Sequence, residues 1–171
     1  MNNAPCIPHT TFVALGSNVG DSATILRRAI ASLHELSSQP LTVSSLWQTT
    51  PVDCPPGSPP FVNAVVAMTP RGDETPESFL KKLLAMEKEF GRRPKKVQNE
   101  PRRLDLDLIA FGHETRSTSE ITLPHPRAHQ RRFVLQPLSE IAPNLLLPKQ
   151  TATTAQLLAR LSTQEKLVKL P

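Results

Sequence analysis

The chain has 171 residues, of which 38% are hydrophobic, so it is long enough to form one domain with its own core. Its net charge of +5 favours an anionic partner, such as a phosphorylated small molecule or nucleic acid, although a basic solvated surface fits equally well. The N-terminus lacks the pattern of a signal peptide, and no stretch reaches the roughly 20 apolar residues of a membrane span. Two isolated cysteines, Cys6 and Cys54, predict free thiols in a reducing cytoplasm rather than a disulfide framework. We therefore expect a cytoplasmic protein with no membrane partner.

Hydrophobic periodicity and helix-capping residues predict strand, helix, strand, strand, helix, strand. The predicted segments are a strand at 10–18, a helix at 22–36 with Asp21 as N-cap, strands at 41–50 and 61–68, a helix from Pro76 to about Phe90 with Thr75 as N-cap, and a strand at 104–112. A short strand at 121–124, a short helix within 125–143 and a terminal helix at 151–162 follow. This order predicts an α+β fold of the ferredoxin-like kind, an antiparallel sheet flanked by helices in α-β-α layers.

Two acids interrupt the apolar strand in "RRLDLDLIAFG", residues 102–112. Because side chains two apart on a strand face the same side, Asp105 and Asp107 project together, on the face of Ile109 and Phe111. Two such carboxylates repel each other unless a cation lies between them. Hard oxygen ligands of this kind suit Mg²⁺, which typically binds one or two carboxylates together with substrate phosphates.

The loop before this strand, "GRRPKKVQNEPRR" at 91–103, is strongly basic. Against a single acid, Glu100, it carries Arg92, Arg93, Lys95, Lys96, Arg102 and Arg103. Guanidinium groups match phosphate oxygens geometrically, so the loop and the two acids together indicate a phosphate clamp beside a metal site. Two alternatives stay open. The loop could be a solvated basic surface, and the acids could lie at an exposed strand start, neutralised by Arg102 and Arg103.

One acid lies among apolar residues on the second predicted helix. Glu87 shares its stripe with Leu80, Leu83, Leu84 and Phe90. An acid in this position is either at the edge of the buried face or has a specific partner.

Asn63 and a cluster of basic residues are further candidates. Asn63 shares a strand face with Phe61, so it could recognise the edge of a flat heterocycle or form a structural bond to a nearby loop. The segment "LPHPRAHQRRF" brings together His125, Arg127, His129, Arg131 and Arg132. Their spacing is a poor match to a zinc site and favours phosphate contact.

Seven motifs follow one another along the chain: "ALGSNVGD", "TVSSLWQTTPV", "FVNAVV", "EKEFGR", "EPRRLDLDLIAFG", "LPHPR" and "RRFVLQPLSEIAP". Together they resemble the 6-hydroxymethyl-7,8-dihydropterin pyrophosphokinase family of folate biosynthesis, from about residue 10 to residue 148. The resemblance implies a monomeric ferredoxin-like enzyme that transfers the β,γ-diphosphate of ATP to the pterin hydroxymethyl oxygen and releases AMP. Residues 1–9 fall outside it, so we expect a disordered tail before one domain at 10–171.

The resemblance also implies site residues. Asp105 and Asp107 would hold two Mg²⁺ ions, and Arg92 and Arg102 would be the catalytic arginines of a mobile loop. These two arginines would bind ATP together with Glu87, Lys95, Leu108, Thr122, His125 and Arg131. The pterin pocket would comprise Thr49, Thr50, Val52, Phe61, Asn63 and Phe133, with Phe133 stacking on the ring and Asn63 recognising its edge.

The basic loop departs from the family pattern at 98–103, where "QNEPRR" replaces the common "RWGPRT". Asn99 and Glu100 stand at the positions of a Trp that helps to cover the pterin and of a Gly. One alternative is therefore the same fold with impaired turnover. Another is a basic RNA-binding domain, but such a sheet usually offers exposed aromatic residues, and this chain has no Tyr. We expect no nucleic-acid partner.

Overall fold

The computed structural model describes residues 10–51, 53–94, 96–98 and 100–171. The predicted tail at 1–9, the predicted site residues Val52 and Lys95, and the loop residue Asn99 lie outside the described residues. No helix in the described part of the chain is long and apolar enough to span a membrane.

Up to residue 111 the described elements follow the predicted order, with the predicted strand at 41–50 divided in two. They are β1 (Thr11–Ser17), α1 (Ser22–Glu35), β2 (Thr42–Val43), β3 (Trp47–Thr49), β4 (Phe61–Met68), α2 (Pro76–Glu89), β5 (Asp105–Phe111), β6 (Arg116–Ser117), β7 (Thr122–Leu123), a 3₁₀ turn (Ala128–Gln130), α3 (Arg132–Ile141), α4 (Thr154–Arg160) and β8 (Leu167–Lys169). The strands of the main sheet are antiparallel in the order β5-β1-β4-β3-β8, with β2 also paired to β4. The predicted ferredoxin-like antiparallel sheet is confirmed.

Helices cover both faces of this sheet. Residues of α1 and α2, including Leu26 and Phe79, pack with β-strand residues in one buried cluster. Residues of α3, including Val134 and Leu138, pack in a second cluster on the opposite face. The predicted α-β-α layers are therefore confirmed.

The helix starts follow from local capping. The Asp21 carboxylate accepts a hydrogen bond from the Thr24 N–H at 3.1 Å, and Thr75 and Ser78 form a capping box around Pro76, in which each side chain accepts from the other residue's N–H. Both contacts satisfy backbone N–H groups that have no partner within the helix. The predicted N-caps of α1 and α2 are confirmed.

The predicted strand at 41–50 is interrupted at Ser44. The Ser44 hydroxyl accepts from the Val65 N–H at 2.9 Å, while the Ser44 N–H donates to the Val65 carbonyl at 3.0 Å. A side chain thus replaces a backbone partner, and two short strands, β2 and β3, result. The terminal helix is also shorter than predicted, and the strands β6 and β8 were not predicted from the sequence.

A bulge in β5 changes which side chains share a face. The pairing of β1 with β5 shifts between Phe12 and Val13, so Ile109 is an extra residue in β5. Ile109 packs in the α3 cluster, whereas Phe111 packs in the α1–α2 cluster against Phe79. The prediction that Phe111 shares the face of the acids is therefore wrong, because the bulge breaks the two-residue alternation.

The inward stripe of α2 is narrower than predicted. Leu83 is fully buried, but Leu84 is 44% exposed.

We expect Leu83→Ala to lower the free energy of unfolding by about 2–5 kcal/mol, because it leaves a cavity in the core. Leu84→Ala, one residue away, should lower it by less than about 1 kcal/mol. Urea unfolding of both variants measures the difference, and equal losses would contradict this assignment of the buried face.

Candidate active site

One cavity of about 630 Å³ lies where β1, β3, β4 and β5 meet α2 and the segment before α3. All the predicted site residues that the structure describes line it: Thr49, Thr50, Phe61, Asn63, Glu87, Arg92, Arg102, Asp105, Asp107, Leu108, Thr122, His125, Arg131 and Phe133. The predicted metal, ATP and pterin positions therefore share one space, although the role of each residue stays a prediction.

The acid pair lies on β5 at the wall of this cavity. Asp105 Oδ1 is 3.0 Å from Arg102 Nη1 and 3.4 Å from Arg92 Nη1. Burial, and then the charge of Asp105, raise the pKa of the Asp107 carboxyl to about 7. The sequence left open that Arg102 and Arg103 neutralise the acids. Arg102 is paired with Asp105, but the Arg103 side chain is exposed and lies beside Gly91.

The donor set fits a magnesium ion that also binds substrate phosphate. Within the described residues, no group of three or more His, Cys, Asp or Glu side chains could hold a metal ion. In the described part of the chain, Asp105 and Asp107 offer a pair of carboxylate ligands and no larger set. Mg²⁺ accepts such an incomplete set, because it commonly retains waters and binds phosphates beside one or two carboxylates.

Glu87 has specific partners and is not at an edge. Its side chain is 1% exposed, and Oε1 accepts a hydrogen bond from the Leu106 N–H at 2.7 Å. Oε2 forms an ion pair with the Arg92 guanidinium group. Burial raises the pKa of the Glu87 carboxyl, while the Leu106 bond and Arg92 oppose this shift. The carboxylate thus joins α2, β5 and the start of the basic loop.

His125 is held as a neutral ring. The Arg127 N–H donates to His125 Nδ1 at 3.2 Å, so the ring proton lies on Nε2. Burial, and then the charges of Arg131 and Arg127, lower the pKa of His125 to about 4. His129 does not line the cavity, which leaves one histidine of the predicted cluster in the site.

The other end of the cavity carries amide and aromatic groups. Asn63 Nδ2 donates to Thr49 Oγ1 at 2.7 Å, and the Arg131 guanidinium carbon lies 5.3 Å from the centre of the Phe133 ring. Gly16, on the neighbouring strand, was not predicted to belong to the site. A Cβ atom there would lie 3.0 Å from Asn63 Oδ1, so glycine leaves the space that this carboxamide occupies.

Two further polar residues at the site were missed in the sequence. Asn18 Oδ1 accepts from the Arg102 N–H at 2.8 Å, and Asn18 Nδ2 donates to the Pro59 carbonyl at 3.3 Å, which links two loops beside the cavity. Glu165 lines the cavity and accepts from the Phe133 N–H at 3.1 Å. Both contacts join residues that are far apart in the chain, so no local pattern could reveal them.

Comparison with known proteins identifies related sequences. The family described as 7,8-dihydro-6-hydroxymethylpterin-pyrophosphokinase (HPPK) matches residues 12–143. The 2-amino-4-hydroxy-6-hydroxymethyldihydropteridine pyrophosphokinase of Bacillus subtilis is 37% identical over 146 residues, which cover 85% of each chain. The protein of the same name from Haemophilus influenzae is 35% identical over 162 residues, which cover 94% of this chain and 98% of the relative.

A solved structure supports the same fold. Plasmodium falciparum HPPK-DHPS, crystallised with pteroate, matches with a TM-score of 0.70 and 13% identity. The match covers 89% of this chain but 42% of that longer protein.

Sequence similarity over most of the chain confirms the predicted enzyme class, a pyrophosphokinase. The chain therefore belongs to the 7,8-dihydro-6-hydroxymethylpterin-pyrophosphokinase family.

Proposed function

We propose that this protein transfers the β,γ-diphosphate of ATP to the hydroxymethyl oxygen of 6-hydroxymethyl-7,8-dihydropterin, as a step in folate biosynthesis. The pterin oxygen attacks the β-phosphorus, its proton is lost, and AMP leaves. One observation carries the proposal: a carboxylate pair, several arginines and an amide–aromatic end line a single cavity. The names of the curated relatives support the same reaction.

Charge stabilisation is the main demand of phosphoryl-type transfer, since the protein takes part in little covalent chemistry. Arg92 and Arg102 converge on the Asp105 carboxylate, so both guanidinium groups lie beside the position where a metal-bound triphosphate would sit. Arg131 adds a third positive group to the same cavity. These arginines would bind the triphosphate and stabilise the charge that develops during transfer.

Asp105 and Asp107 would hold Mg²⁺, and by the family resemblance two ions. The metal would neutralise phosphate charge and help to orient the attacking hydroxyl. The position of the metal would follow from the position of the two carboxylates. These are held in place because the N–H of Leu106, which lies between them, donates to Glu87.

The amide–aromatic end would bind the pterin. Phe133 offers a ring for stacking, and Asn63 offers a carboxamide whose Nδ2 is already oriented by Thr49. At the ATP end, neutral His125 offers its Nε2–H as a hydrogen-bond donor, and Thr122 lines the same cavity. Glu87 would act on ATP through Arg92, which it orients.

We further propose that residues 10–171 act as one domain, as a monomer, in the cytoplasm, without a nucleic-acid partner. The pairing of β8 with β3 supports the single domain, since it joins the end of the chain to the sheet that carries the site. Arg92 and Arg102 face cavity carboxylates, not an open basic surface, which is evidence against the RNA-binding alternative.

The reaction can be tested by supplying ATP, Mg²⁺ and the reduced hydroxymethylpterin. We expect pterin-dependent release of AMP and not ADP. Asp105→Ala and Asp107→Ala should each lower kcat by at least about 100-fold, because each removes charge that positions the transferred group. Asp73→Asn, at an exposed position in the loop before α2, is the matched control and should keep full activity. Release of ADP would overturn the proposal, and binding of both substrates without AMP would favour the alternative of impaired turnover.

The role of Glu87 predicts a graded response. Glu87→Ala should lower the free energy of unfolding by about 2–4 kcal/mol, since it leaves the Leu106 N–H and Arg92 without their buried partner. Glu87→Gln keeps an acceptor for Leu106 and should be less destabilising, yet it should raise the KM for ATP because Arg92 is no longer held. Glu89→Ala, exposed on the same helix, is the control. Equal stability of all three variants would contradict the buried role.

The neutral state of His125 predicts a pH effect on stability. Its folded pKa of about 4 lies below the ordinary value of 6.5, so between these values the unfolded chain binds a proton that the folded protein does not. His125 therefore contributes a fall in the free energy of unfolding as the pH is lowered from 7 to 5, whereas Asp107, whose pKa is raised to about 7, contributes an opposing rise. His125→Gln removes only the histidine contribution, so the change in the free energy of unfolding from pH 7 to pH 5, measured with urea at both values, should be more positive than in wild type. Imidazole ¹⁵N spectra should show a neutral His125 ring at pH 5, and a charged ring would contradict the assignment.

A further inference from the structure

Helix α3 begins without a cap of its own. The backbone N–H groups in the first turn of a helix need partners from outside the helix, usually a Ser, Thr, Asp or Asn side chain at the N-cap. The N-cap of α3 is Arg131, whose side chain makes no capping bond. It lies instead over the Phe133 ring and lines the cavity. The position that would normally cap α3 is thus occupied by a residue of the active site.

Glu165 provides the missing acceptor from a distant part of the chain. Its Oε2 accepts from the Phe133 N–H, in the first turn of α3, at 3.1 Å. A carboxylate in this position also interacts favourably with the positive end of the helix dipole. The neighbouring N-cap arginine cannot do this, because its side chain has no acceptor.

The segment that carries Glu165 is fixed on both sides. Arg132 Nη2 donates to the Leu161 carbonyl at 3.0 Å, which ties the segment to α3. The Thr50 N–H donates to the Lys166 carbonyl at 3.2 Å, and the Lys166 N–H donates to Thr50 Oγ1 at 3.2 Å, which tie it to the end of β3. Residues 161–166 therefore form a bridge beside the amide–aromatic end of the cavity, and Glu165 lines that cavity.

We propose that Glu165 is a positioning residue for the pterin: it caps α3 in place of Arg131 and so sets the position of the Phe133 ring. The bridge leaves Arg131 available to the active site while the first turn of α3 stays ordered. This inference rests on the proposed function, because the pterin is the substrate that we assign to the Phe133 end.

The kinetic test uses the full chain with Glu165→Ala, Glu165→Gln and Thr153→Ala. Glu165→Ala should raise the KM for the pterin about fivefold, the effect of losing one cap, and leave the KM for ATP within about twofold of wild type. Glu165→Gln retains an acceptor oxygen and should restore most of the pterin affinity. Thr153 caps α4 outside the cavity, so Thr153→Ala should lower stability by a similar amount without changing either KM.

Amide hydrogen exchange tests the cap independently of any substrate. The Phe133 amide should be protected in wild type and in Glu165→Gln, and should exchange faster in Glu165→Ala. Equal exchange in wild type and Glu165→Ala, or an unchanged KM for the pterin in Glu165→Ala, would overturn the inference. Failure of the proposed reaction is distinguishable, since wild type would then release no pterin-dependent AMP whatever the Phe133 exchange rate.

Discussion

One buried carboxylate, that of Glu87, joins the three parts of the molecule that must stay aligned at the active site. A charge that is 1% exposed is unfavourable unless it is paired and hydrogen-bonded, and Glu87 meets both conditions through Arg92 and the Leu106 N–H. Because Leu106 lies between the two acids of β5, this contact fixes the strand that carries them. Because Arg92 lies in the basic loop, the same contact also fixes where that loop leaves α2. Removing the carboxylate would therefore disturb the helix, the strand and the loop together.

The charges of the cavity are only partly balanced within the protein. Asp105 is paired with two arginines, whereas burial and the charge of Asp105 leave Asp107 with a pKa raised to about 7. His125 stays neutral, so it adds a donor but no positive charge. A triphosphate with a bound divalent cation brings both signs of charge, and would complement the arginines and the carboxylates at once. This complementarity is the physical link between the geometry of the site and the reaction that we propose.

Local patterns predicted most of the fold and failed where distant contacts decide the structure. The span of β4 matches its prediction because its side chains are buried almost throughout, and α2 begins where Thr75 and Pro76 indicate. Ser44 splits a predicted strand because its hydroxyl finds Val65, 21 residues away. The orientation of Phe111 depends on a bulge that exists only in the pairing of β5 with β1. In each failure the deciding partner lies outside the local window.

Contacts between distant residues also explain which parts of the candidate site the sequence did not reveal. Asp105 and Asp107 are candidates from the sequence because two acids in an apolar strand are unusual in themselves, whereas Asn18 becomes a candidate through its contacts with Pro59 and with Arg102, 84 residues later. Glu100 shows a departure from the predicted family pattern with a structural consequence: its carboxylate accepts from the Lys96 N–H at 3.2 Å, a bond that a glycine, as the resemblance implies here, could not make. The substitution therefore ties the basic loop to itself next to Arg102. If the loop moves toward phosphate, as the family resemblance implies, the Lys96–Glu100 bond would oppose any motion that separates these two residues.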